Sequence, residues 1–145
     1  MDTHSYIKDE IKKNKSLSFL SCNMISYCII TTDLETFCLN NDLNILKFTN
    51  INFKKIANII TKINSEQEHI SVDDMCSQKI DTELILDYLH SLIMNGKPDY
   101  FVYNNKRYFL IEYKSKNDSL RNNQIRWIKN YSKIFKIIVL HSLTE

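Results

Sequence analysis

The chain carries one glycine and one proline, and both fall in the stretch Asn95-Gly96-Lys97-Pro98-Asp99. Glycine supplies left-handed turns and proline stops helices and central strands, so a sequence this poor in both has few places to break sharply. That stretch therefore divides a helical pattern from an extended one. Before it, Asp81 or Thr82 can cap a helix running to about Met94, with an apolar stripe at Leu84, Ile85, Tyr88, Leu89 and Leu92. Gly96 is placed to end that helix as a left-handed cap. After it, Asp99–Tyr103 and Tyr108–Tyr113 are apolar and aromatic, and the polar Asn104-Asn105-Lys106-Arg107 lies between them. This is a hairpin signal, although the turn lacks the favoured Asn-Gly pair.

Asp118 or Ser119 can cap a second helix reaching about Tyr131, and Ile137–Leu140 is a short apolar run of the kind buried on both faces of a sheet. Helix, hairpin, helix, strand predicts an α/β fold: a mixed sheet with helices packed on it. The first half is harder to read. Tyr6–Leu20 reads as a short helix and Met24–Thr31 as a strand. Thr32-Asp33-Leu34 is expected to turn the chain into a second strand over Glu35–Leu39, with a further strand at Asn44–Phe48. Ile51–Ile63 has helical spacing, and Asn64–Asp74 is a polar stretch expected to be a surface loop. The organisation expected is an N-terminal extension over residues 1–66, packed on a core over residues 79–143 in one compact domain.

Composition excludes more than it assigns. A formal net charge of +2 does not announce a nucleic-acid partner, but basic residues outnumber acidic ones between Lys97 and Lys136. The four cysteines form no C-x-x-C pair and have no histidines at zinc-site spacing, which fits thiols in a reducing compartment. The apolar runs are too short to span a bilayer, and Met1–Lys15 is polar and charged, unlike a signal peptide. The expectation is a soluble intracellular protein.

The chemistry lies in the hairpin. Glu112 and Lys114 interrupt the apolar run Tyr108–Lys114, and side chains two apart on a strand share a face. If Asn105-Lys106 is a two-residue turn, symmetric pairing sets Asp99 directly opposite Glu112, with their Cβ atoms roughly 4.5–5.5 Å apart. Two carboxylates that close repel unless something neutralises them. A divalent cation does so, and Mg²⁺ is commonly held by one or two carboxylates together with substrate phosphate. A lysine beside such a pair can stabilise charge on a phosphorane-like transition state. Taken alone, the same residues also fit a solvated charged face.

Pro98-Asp99 followed by Glu112-Tyr113-Lys114 resembles the PD-(D/E)XK nuclease superfamily, and is most similar to its VRR-NUC (virus-type replication-repair nuclease) group. In that group the catalytic strand leads through a polar loop to a helix bearing a glutamine. Here Lys114-Ser115-Lys116-Asn117-Asp118-Ser119-Leu120 leads to Gln124. The resemblance implies a restriction-endonuclease-like core and a Mg²⁺- or Mn²⁺-dependent endonuclease hydrolysing DNA, on branched, flap or junction structures in replication or repair, with no membrane partner and able to act as a homodimer. It implies Asp99, Glu112 and the backbone carbonyl of Tyr113 as metal ligands, and Lys114 as the catalytic lysine. Gln124 would contact a metal-bound water or a phosphate, and Glu83 would add an acidic ligand from the preceding helix. Lys116, Arg121, Arg126 and Lys129 would neutralise nucleic-acid phosphates. Trp127 is expected to pack in the core.

Two other readings stand beside it. Cap-snatching RNA endonucleases of the same superfamily use a helix histidine as a ligand, and His90 would take that part here. A nuclease-fold module that binds nucleic acid or protein without hydrolysis is the other. The sequence also departs from the superfamily pattern. The strand that normally precedes the Pro-Asp strand has only Ser91–Met94 to form it, unless the N-terminal half supplies one, for example Met24–Thr31.

Overall fold

The computed structural model describes residues 25–67 and 82–144. Within these residues five strands form one sheet: β1 (Ile25–Ile30), β2 (Asn44–Lys47), β3 (Tyr100–Tyr103), β4 (Tyr108–Lys114) and β5 (Ile137–Ser142). Their order is β1-β5-β4-β3-β2. The two pairings made by β5 are parallel, whereas β4 with β3 and β3 with β2 are antiparallel. Among the described residues four α-helices flank the sheet: α1 (Leu34–Asn40), α2 (Phe53–Gln67), α3 (Thr82–Ser91) and α4 (Asn122–Tyr131). This is the mixed α/β architecture that the second half of the sequence predicts.

The β3–β4 hairpin compensates for its missing Asn-Gly turn. The Asn104 side-chain oxygen accepts from the backbone N–H groups of Lys106 (2.8 Å) and Arg107 (3.0 Å). An Asx-type turn of this kind sets the direction that a glycine would otherwise permit. Pairing of Tyr100 with Ile111 and Tyr103 with Tyr108 then gives the register expected for a two-residue loop.

Alternation along the strands divides the core in two. Leu110, Phe101, Ile137 and Val139 face α2, α3 and α4, where Phe53, Ile56, Leu89, Ile125 and Trp127 meet them. Ile111, Phe109, Val102 and Leu140 face the other way, towards Leu34 and Cys38 of α1. Trp127 is buried, as expected, with its ring edge-on to Phe48 and its indole N–H donating to the Ile93 carbonyl.

Several expectations are corrected. Glu35–Leu39 is not a strand but lies within α1. Asp33 caps that helix by accepting from the Thr36 N–H at 2.7 Å, and Leu34 and Cys38, one turn apart, bury on the same side. The helix expected over Ile51–Ile63 runs on to Gln67, so the first part of the supposed loop at Asn64 is helical. α3 stops at Ser91 rather than Met94, and Ser91 closes it by donating its hydroxyl to the Tyr88 carbonyl at 2.6 Å. Gly96 does adopt a positive φ of 84°, but in a turn beyond the helix rather than as its cap. α4 begins at Asn122, because Asp118 is used in a turn, where its N–H meets the Ser115 carbonyl. The helix expected over Tyr6–Leu20 and the rest of the polar stretch to Asp74 lie outside the described residues.

Ser91–Met94 forms no strand. The neighbour of the Pro-Asp strand is β2, and β1 lies at the far edge beside β5. The first half of the chain therefore supplies both outer strands of the sheet. No helix among the described residues is long and apolar enough to cross a membrane.

Candidate active site

The β3–β4 register carries Asp99, one residue before β3, alongside Glu112. The Asp99 backbone is fixed from the other side, since its carbonyl accepts the Phe48 N–H at 2.9 Å. Glu112 and Lys114 follow Leu110 on the face covered by α4, so polar side chains enter what would otherwise be core. Glu112 is 1% and Lys114 3% exposed.

α4 supplies their partner. Gln124 lies in the first turn of α4, and its side-chain oxygen accepts the Arg121 N–H at 2.9 Å, satisfying one of the free donors of the helix start. The same oxygen accepts from Lys114 Nζ at 2.8 Å, and Gln124 Nε2 donates to Glu112 Oε1 at 2.7 Å. Lys114 Nζ lies 3.3 Å from Glu112 Oε1. One glutamine thus caps the helix and fixes both the acid and the amine. It is buried and turned inward, engaged with protein groups rather than presented to solvent.

Glu112 Oε1 is satisfied, but Oε2 is buried and has no hydrogen-bond partner among the described residues. A buried carboxylate oxygen left without a donor is costly unless protonated or bound to a cation. Burial and, after it, the Asp99 charge accordingly push the Glu112 pKa up to about 7, against the opposing pull of Lys114 and Arg121. Asp99 is exposed on its outer side, yet loss of water behind its carboxyl raises its pKa as well. Lys114, Lys97, the Tyr113 N–H and Arg121 act in the lowering direction. Two acids, one buried and one open, beside a buried lysine form a pair whose natural third member is a small hard cation.

The remaining sequence candidates fall into two sets. Arg121, at the start of α4, acts on both carboxyls, while Lys116, Arg126 and Lys129 lie exposed on the loop after β4 and along α4. Glu83, Asp87 and His90 are exposed on α3, and the His90 ring stands edge-on to Phe53. Among the described residues, no group of three or more His, Cys, Asp and Glu side chains converges, so neither Glu83 nor His90 joins Asp99 and Glu112. Sequence reasoning missed Lys97, which acts on Asp99 from within the Gly-Pro turn, and the buried His141, which pairs in register with Lys114. Lys97 was visible as the cation between the chain's two punctuating residues. His141 had no local signal, since only the β4–β5 pairing brings it there.

A mixed sheet with two acids and a lysine at the end of its central hairpin, beside a glutamine-bearing helix, matches the arrangement that the resemblance to the PD-(D/E)XK superfamily implies. The VRR-NUC domain family matches residues 58–142, more than half of the chain, and the chain belongs to that family. No curated protein and no solved structure matches it.

Proposed function

We propose that the chain is a divalent-metal-dependent endonuclease that hydrolyses DNA phosphodiester bonds, acting on branched, flapped or junction structures in replication or repair. The observation that carries this is the buried Glu112 Oε2, left without a partner beside the Asp99 carboxyl and the Lys114 ammonium. Asp99, Glu112 and the Tyr113 carbonyl would hold Mg²⁺ or Mn²⁺. A bound metal of this kind acidifies water and polarises a phosphoryl oxygen. Lys114 would meet charge developing on the phosphate, and Gln124, which bonds both its ammonium and the Glu112 carboxylate, would keep them oriented before substrate arrives. Arg121 and Lys97, on the open side with Asp99, would draw in the nucleic-acid backbone, and Lys116, Arg126 and Lys129 would extend that surface.

The test is incubation of the purified chain with plasmid, single-stranded, flapped and four-way-junction DNA, and with RNA, in Mg²⁺, Mn²⁺ or EDTA. Cleavage of DNA that is abolished by EDTA supports the reading. Cleavage that survives EDTA removes the metal mechanism, and binding without cleavage in either metal favours a non-hydrolytic module. Selective cutting of RNA transfers the activity to the other nucleic acid.

Gln124→Leu should lower kcat by about tenfold or more, because groups that orient metal-site residues are commonly worth that much. Lys114 and Glu112 would each lose an oriented partner, and single-turnover cleavage measures the effect. The pH dependence has a definite sign. Glu112 titrates near 7 in the folded protein against an ordinary 4.5, so the fold prefers its protonated form. The stability this provides is complete below pH 4.5 and is lost as pH rises through about 7. A bound cation instead requires the ionised form. Millimolar Mg²⁺ should therefore raise the melting temperature clearly at pH 8 and little at pH 5, read by calorimetry with and without EDTA.

A further inference from the structure

The site described above leaves one buried titratable side chain beside it without a part. His141 is wholly buried on β5, directly across from Lys114, and shares the α4 side of the sheet with it. Its Nε2 lies 3.3 Å from the Lys116 carbonyl, and its Nδ1 lies 2.6 Å from the Tyr27 hydroxyl. A carbonyl only accepts, so Nε2 carries the hydrogen. In a neutral imidazole Nδ1 is then an acceptor, and the Tyr27 hydroxyl must donate to it. Tyr27 itself stands in one row with Val139 and Glu112 across β1, β5 and β4.

We propose that Tyr27 and His141 form a positioning pair for the cleavage site. Tyr27 holds His141 in the tautomer whose Nε2–H secures Lys116, and so sets the path of the chain between Lys114 and Arg121. That segment has one other internal tie, the turn in which Ser115 and Asp118 bond each other. It must deliver Arg121 to the carboxyls and Gln124 to Lys114. Tyr27 precedes residues 58–142, so the pair brings the chain outside the family match into the working of the site. The inference rests on the nuclease reading for its effect on cleavage, but not for the hydrogen bonds themselves.

The test uses the full chain and three variants, Tyr27→Phe, His141→Leu and His141→Gln, the last placing an amide donor near the position of Nε2. Long-range ¹H–¹⁵N correlation of the histidine rings reads the tautomer, and Mg²⁺-dependent cleavage of a flapped DNA reads kcat and KM. The expected results are an Nε2–H tautomer at His141 in the wild type and its loss in Tyr27→Phe. With that loss kcat falls about tenfold and KM stays within about twofold. His141→Gln should recover most of the kcat lost in His141→Leu. An Nδ1–H tautomer in the wild type, wild-type kcat in Tyr27→Phe, or a glutamine variant no better than leucine would overturn the pair. If His141→Leu does not fold, Tyr27→Phe, which removes one hydroxyl, decides alone. If the wild type cuts nothing, the nuclease reading fails separately. The pair is then judged by the tautomer and by the amide signals of residues 115–121, which must shift in Tyr27→Phe for it to stand.

Discussion

Asp99→Ala should reduce DNA cleavage by about 10³-fold or more while leaving the fold intact, given what single preorganised charged groups contribute to such transition states. The two halves of that expectation have separate causes. Asp99 is exposed, so truncating it opens no cavity, and its removal relieves a charge that pushes the buried Glu112 pKa up. Melting temperature should therefore hold or rise even as activity disappears. A trade of this kind is the usual mark of a functional group held in an unfavourable electrostatic place. The measurement is single-turnover cleavage in Mg²⁺ and in Mn²⁺, paired with calorimetry. Isothermal titration with Mn²⁺ should also show loss of binding. Near-wild-type cleavage in this variant would remove Asp99 from the mechanism, and a large loss of stability would show that its contribution is architectural.

Gly96→Ala should destabilise the protein by about 3 kcal/mol, combining a left-handed backbone that alanine resists with a clash that the packing must absorb. At Gly96 φ is +84°, and an added Cβ would lie 2.2 Å from the Asn123 carbonyl oxygen, inside any permitted contact. The collision is with helix backbone in the first turn of α4, so no side chain can swing aside. Either the turn before Pro98 or the start of α4 must move, and these two pieces carry Asp99 and Gln124. The variant should melt roughly 10 °C lower, taking a few degrees per kcal/mol for a chain of this size. Cleavage at a temperature where it remains folded should fall as well. Unchanged stability would mean that this close approach is absent in solution.

The history of these residues as sequence signals differs from site to site. Asp99, Glu112 and Lys114 were legible because the hairpin is local. Its turn, its period-two alternation and its register are all set within a few residues, and the charges stand out against apolar neighbours. Gln124 was legible as a position but not as an orientation. Its inward turn depends on two roles at once, capping α4 and bridging Lys114 with Glu112, and the first was hidden by expecting the helix to start at Asp118 or Ser119. Glu35–Leu39 was misread because the short run Phe37-Cys38-Leu39 is compatible with either period. The Asp33 cap and the one-turn spacing of Leu34 and Cys38 tipped it to helix. Gly96 signalled its backbone conformation correctly but not its purpose, since close packing against α4 cannot be seen without the third dimension. The location of β2 beside the Pro-Asp strand, and of Tyr27 beside His141, depends on pairings across long stretches of chain, which no local pattern records.

The strand order β1-β5-β4-β3-β2 also bears on how this protein can be cut down for study. A fragment confined to residues 58–142 would retain the β3–β4 hairpin and β5 but lack β1 and β2. The outer flanks of β3 and β5 would then be bare ladders of amide and carbonyl groups, the kind of surface that recruits strands from other molecules. Such a fragment should clump in solution, and the early residues act as sealing margins for the ribbon that carries Asp99, Glu112 and Lys114.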